Sequence, residues 1–166
     1  MTNNWTDIKW IFEPEGSLRD IYIKNTSIDD WKILINYLNS SQIVKYGLTG
    51  ENQIINPIDL EYVIEYLHDE TGLMETKCAS IIIDNIIINQ HFFSINEIEF
   101  DIDPREITSF EDYKEILNFM NEISRILQKS VILTGENQMD FPLIEVDFSK
   151  NLIKALTQKE AEKLWK

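Results

Sequence analysis

Residues 97–103, Glu-Ile-Glu-Phe-Asp-Ile-Asp, alternate acid with hydrophobe at every step. In an extended strand this sends Ile98, Phe100 and Ile102 to one face and Glu97, Glu99, Asp101 and Asp103 to the other. Carboxylates two residues apart then stand about 6.5–7 Å from each other, close enough to repel. Such a stripe suits a docking edge for a Lys- or Arg-rich protein partner. Hard-cation sites draw their ligands mostly from loops, and no calcium-loop spacing occurs here, so no metal is expected. The plainer alternative is a solvated sheet face whose acids pair with Lys or Arg of a neighbouring strand.

A second candidate is repeated. Leu-Thr-Gly-Glu-Asn-Gln occurs at 48–53 and again at 133–138. Each copy reads as a turn after a strand, with Gly50 and Gly135 supplying the positive φ that such a turn requires. Two equivalent turns would present Glu51, Asn52, Glu136 and Asn137 as matched partner-binding prongs. The local alternative is that Gly and Asn are there for the turn alone. Neither copy is a phosphate loop, since its glycine is isolated and no Lys-Ser or Lys-Thr follows.

Signals for catalysis are thin. The chain has two histidines, His68 and His91, and one cysteine, Cys78, and together they make no zinc pattern. Cys78 opens a strand without nucleophile-elbow glycines, and its pairing with His91 is a weak nucleophile–base candidate. With 29 acidic residues, paired carboxylates arise by number alone. Arg105, just after Asp103-Pro104, reads as the partner of a nearby acid. No catalytic residue and no cofactor is expected.

The hexapeptides also organise the elements around them. LTGENQIINPI (48–58) aligns with LTGENQMDFPL (133–143), and NTSIDDWKILINYLNS (25–40) with ITSFEDYKEILNFMNE (107–122). Ser27-Ile-Asp-Asp and Ser109-Phe-Glu-Asp have capping-box spacing and open helices at about 28–39 and 110–128. The first carries Trp31, Leu34, Ile35 and Leu38 on one side, and the second Phe110, Tyr113, Ile116, Leu117, Met120, Ile123 and Leu127. Strands are expected at 43–48 and 131–134 after these helices. Before the first, DIKWIFE (7–13) and RDIYIKN (19–25) read as a hairpin turned at Pro14–Ser17, with Trp10 in the core. Residues 79–84, 86–94 and 97–103 form a meander. Pro57 opens a helix at 58–69, 142–148 is a further strand, and 157–166 a terminal helix.

The fold class that follows is α+β, with an antiparallel or mixed sheet and helices packed on one face. The expected basis is an internal duplication of a ββαβ-like unit. Residues 1–166 form one domain, with pseudo-repeat halves at about 1–70 and 77–148.

Charge narrows the partners. The chain carries 15 basic and 29 acidic residues, a net −14. The tail from Lys150 to Lys166 is +3, which leaves −17 on residues 1–149. Such a body repels phosphate backbones and anionic lipid, so neither nucleic acid nor a membrane is an expected partner. The N-terminal residues have no signal-peptide pattern, no apolar run spans a bilayer, and the lone cysteine forms no internal disulfide, so a cytoplasmic address is expected. A basic protein would be attracted and steered. In size and acidity the chain resembles bacterial immunity proteins, which implies a protein that covers the basic active surface of a toxin or nuclease. The competing expectation is a structural or regulatory adaptor, homo-oligomeric in one form, whose acidity serves only solubility.

Overall fold

The computed structural model describes residues 4–166. Among these residues nine strands form one sheet, every neighbouring pair of which is antiparallel, and five α-helices accompany it. The strands are β1 (Arg19–Lys24), β2 (Ile43–Leu48), β3 (Ile54–Ile55), β4 (Lys77–Ile83), β5 (Ile86–Ser94), β6 (Glu97–Ile102), β7 (Val131–Gly135), β8 (Pro142–Asp147) and β9 (Leu152–Ala155). The helices are α1 (Trp5–Ile8), α2 (Ile28–Ser41), α3 (Leu60–His68), α4 (Phe110–Leu127) and α5 (Gln158–Leu164). Across the sheet the order is β3-β2-β4-β5-β6-β1-β7-β8-β9. Both hexapeptide-bearing segments therefore build one sheet.

The local chemistry of α2 and α4 is as the sequence implies. Ser27 and Ser109 each accept from the backbone of the residue three further on, Asp30 and Asp112, whose carboxylates bond back to the cap. The acids in these first turns also complement the helix dipole. Trp31, Leu34, Ile35 and Leu38 on α2, and Ile116, Met120 and Ile123 on α4, are fully buried against the sheet. Their counterparts on the strands are Ile21, Ile23, Ile81, Ile88, Ile98, Phe100 and Leu133. The Trp31 indole N–H donates to the Ser94 carbonyl at 3.1 Å, so the largest core side chain leaves no buried donor unsatisfied.

The segment before β1 departs from expectation. Residues 7–13 are not a strand: α1 runs directly into a 3₁₀ turn at Lys9–Phe12. Ile8, Ile11 and Phe12 are buried while Trp10 is only half-buried, a helical i, i+3, i+4 pattern rather than alternation. Both periods fit those residues, and packing decides between them: Trp5 and Phe12 stack at 6.2 Å and meet Tyr113 of α4 at 6.3 and 6.1 Å. The Pro14–Ser17 stretch is accordingly no hairpin turn. It wraps the Arg19 guanidinium, which donates to the carbonyls of Ile11 and Glu13 and to both carboxylate oxygens of Glu15. β1–α2–β2 is thus a βαβ segment without the leading strand of a ββαβ unit. Trp10 instead donates to the Leu156 carbonyl and meets Trp165 edge-on.

Register fixes strand direction. β1 runs opposite to both β6 and β7, so β6 and β7 are parallel across it; β1 and β2 are likewise parallel, separated by β6, β5 and β4. α2 and α4 make these two crossovers and lie side by side, and α3 sits over β5. The helices leave the other face of the sheet uncovered. No helix among the described residues is long and apolar enough to cross a membrane.

Candidate functional site

The uncovered face is read by following cross-strand partners, which project to the same side. One row runs Lys45, Ser80, Asn89, Asp101, Asp20, Thr134 from β2 to β7. The next runs His91, Glu99, Tyr22, Ile132, Glu145, Lys154 from β5 to β9. Glu97 stands opposite Lys24. On the opposite side of β6, Ile98, Phe100 and Ile102 are fully buried, so the alternation of residues 97–102 orients the strand as expected.

Of the four acids in the stripe, Glu97, Glu99 and Asp101 share this face. Asp103 leaves it: it lies beyond the end of β6, caps the 3₁₀ turn Pro104–Glu106 and pairs with Arg105 at 2.6 Å. That pair holds the Asp103 carboxyl below its ordinary range. The stripe is instead completed by Asp20 of β1, directly opposite Asp101. Asp20 belongs to the same kind of alternation, Asp20-Tyr22-Lys24 against Ile21-Ile23, and that pattern was the signal for it.

These acids are desolvated to different degrees and held by different partners. Asp101 is buried; it pairs with the His91 imidazole and accepts from Asn89 Nδ2 at 2.8 Å, and Asn89 accepts in turn from Ser80 at 3.0 Å. Asp20, also buried, accepts from the Tyr22 hydroxyl at 2.8 Å and from the backbone N–H of Asn137 at 2.7 Å. Glu99 lies between His91 and Tyr22, and no hydrogen-bond donor meets its carboxylate among the described residues. Burial, then the charge on Asp20, push the Glu99 carboxyl up to about 7. Burial also raises Glu97, against the pull of Lys24. The bond to Asp101 raises His91 in spite of burial, favouring the imidazolium. Phe93 stacks flat on the His91 ring at 4.9 Å and fixes its plane.

The twin turns come apart in space. Because β2 and β7 run in opposite directions, the 48–53 turn lies at one end of the sheet and the 133–138 turn at the other. Glu51 and Asn52 are exposed near the β3 edge; Glu136 and Asn137 cap the end of β7. They do not form a pair of prongs. Nor do both glycines adopt positive φ: Gly50 does, at 84°, but in the second copy it is Asn137, at 58°.

Cys78 is half-buried on the open side of β4, next to Gln53, whose amide donates to its sulfur at 2.8 Å. His68 bonds the Ile64 carbonyl within α3. Among the described residues no group of three or more His, Cys, Asp or Glu side chains is arranged to hold a metal ion. No protein-family model, curated protein or solved structure matches this chain.

Proposed function

We propose that this is a non-enzymatic binding protein whose open sheet face docks a basic protein, and that its role is that of an immunity or inhibitor protein covering the active surface of a toxin or nuclease. One observation carries the reading. Four carboxylates, Asp20, Glu97, Glu99 and Asp101, share a helix-free face on which Lys24 acts on Glu97, and His91 on Glu99 and Asp101. Folding leaves their mutual repulsion standing, and Lys or Arg from a partner would relieve it. Electrostatic steering by a chain of net −14 acts in the same direction.

The linkage has a definite sign. A partner cation favours ionised Glu99, so docking below about pH 7 must expel its proton. Protonated His91 repels the same cation. Affinity therefore rises from about pH 6 to about pH 8 and falls with salt.

The test is capture from an extract of the host on immobilised protein, with a salt gradient and mass spectrometry, run beside a Glu97→Lys, Glu99→Lys variant. A lysine at 99 lies one same-face step from Asp101 while one at 97 faces Lys24, so the variant's fold is checked by circular dichroism and thermal unfolding before capture. The expected result is one stoichiometric basic protein released by salt from the native chain and absent from the variant. Identical proteins on both columns would end the proposal.

We also infer that β1–α2–β2 and β6–α4–β7 descend from one duplicated βαβ unit. The shared hexapeptide, the twin Ser-x-x-Asp capping boxes and the antiparallel pairing of β1 with β6 support this.

A further inference from the structure

Beside the acid rows lies a third row of a different kind. Ile43, Ile82 and Ile87 are direct cross-strand partners on β2, β4 and β5, on the same open side as Lys45, Ser80 and Asn89. Ile43 is 55% exposed and Ile87 43% exposed, with Ile82 half-buried between them. Ile55, partner of Lys45 on the edge strand β3, is 72% exposed. Neighbouring strands are about 4.8 Å apart and successive same-face residues about 7 Å, so these side chains form one contiguous apolar flank. It begins one same-face step from the row that holds Asp101. At the far side of that row, Phe93 is 67% exposed and held by its stack on His91.

Isoleucines in register on a strand face with no helix over it have no folding role that requires exposure. A contiguous apolar surface rimmed by charge marks a contact site. A second copy of this chain is a poor occupant, because apposed open faces would set Glu97, Glu99 and Asp101 against their own likeness. Nucleic acid has neither the charge for the acids nor the apolar side chains for the isoleucines.

We infer that the occupant of the open face is a protein surface that interleaves apolar side chains with Lys or Arg, the apolar ones seating on Ile43, Ile82 and Ile87 and the basic ones on Glu97, Glu99 and Asp101. This rests on the docking function proposed above and specifies its partner. Affinity and specificity are divided between the two parts: the carboxylates set attraction and salt dependence, and the isoleucines distinguish this partner from any other basic protein.

Two synthetic peptides of equal length and charge test it, one alternating lysine with leucine and the other lysine with serine. Binding is read by fluorescence anisotropy below the concentration at which either peptide self-associates. The native protein should hold the leucine peptide about tenfold tighter, the gain from burying one or two apolar side chains. Ile43→Ser with Ile87→Ser, both at exposed positions, should bring the two affinities within about twofold and leave the serine peptide unchanged. Glu97→Lys with Glu99→Lys should weaken both peptides, whereas Glu65→Lys with Glu162→Lys, an equal charge change on α3 and α5, should weaken them far less. Equal affinity for the two peptides on the native protein overturns this inference and leaves the docking function standing. Failure to bind either peptide overturns both.

Discussion

The two copies of Leu-Thr-Gly-Glu-Asn-Gln are identical in sequence and different in structure. At 48–53 the chain reverses with positive φ at Gly50, and the Gln53 amide bonds the Leu48 carbonyl and Cys78. At 133–138 the strand continues through Gly135, the left-handed residue is Asn137, and its N–H donates to Asp20. The cause lies in the neighbours. β7 is hydrogen-bonded to β1, so its turn reaches a central carboxylate. The β4–β5 hairpin separates β2 from β6 and pushes the first turn to the sheet edge, where no central acid is within reach. A hexapeptide thus proposes a reversal, and a tertiary partner selects which residue takes the left-handed conformation.

The strongest way to break the comparison is to remove the partner. Asp20→Ala leaves the buried Tyr22 hydroxyl and the Asn137 N–H without an acceptor and should cost about 2 kcal/mol, read as a lower urea midpoint at unchanged slope. Asn52→Ala, at the exposed matching position of the first turn, should stay within about 0.5 kcal/mol. Equal losses would mean that Asp20 does not organise the second turn.

Substituting the glycines separates the two turns next. Gly50→Ala places a Cβ at φ 84° and should cost about 1–2 kcal/mol, although nothing lies near that atom. At Gly135 a Cβ would meet the Gln138 side chain, with Oε1 at 2.6 Å and Cδ at 3.3 Å, the end of an exposed side chain that can swing away. Gly135→Ala should therefore cost under about 0.5 kcal/mol. Thermal unfolding of the pair decides it, and the reverse order of stabilities would contradict the assignment of strain to Gly50 alone.

That local signals can be read and neighbours cannot holds for the whole molecule. The two capping boxes gave α2 and α4 to within two residues, because a cap is chemistry within one turn. The meander β4–β5–β6 was legible from the Ile-rich runs of its first two strands, from the alternation of residues 97–103 and from the Asp84-Asn85 turn, where Asp84 takes φ 50°. β9 was not, since a four-residue strand at an edge with Ile153 exposed carries too short a pattern. Residues 7–13 satisfied two periods at once, and only Tyr113, a hundred residues away, distinguishes them. For the candidate site, the facing of Glu97, Glu99 and Asp101 followed from alternation. The replacement of Asp103 by Asp20 did not, because it depends on β1 lying beside β6, a pairing between segments some eighty residues apart.

Asp20 and Glu99 make the finest version of the same comparison. They stand on the same open face of neighbouring strands, one same-face step apart in register, but only Asp20 has a turn to bind. Glu99 keeps its proton up to about pH 7 when folded, against an ordinary value of 4.5. The sign follows: the folded state binds the extra proton, so this group's contribution to stability is complete below about pH 4.5 and is lost as pH rises through about 7. Glu99→Gln removes the charge and keeps the shape. It should stabilise the fold by about 1 kcal/mol near pH 8, discounted for partial exposure, or about 2–4 °C in Tm, with the gain vanishing near pH 4.5. His91 is raised chiefly by its bond to Asp101, which both proteins keep; the smaller part that the Glu99 charge adds is lost in the variant and trims the gain. A gain independent of pH would point to packing rather than charge. A loss at pH 8 would show that Glu99 already has a cationic partner, and the repulsion on which the open face depends would be gone.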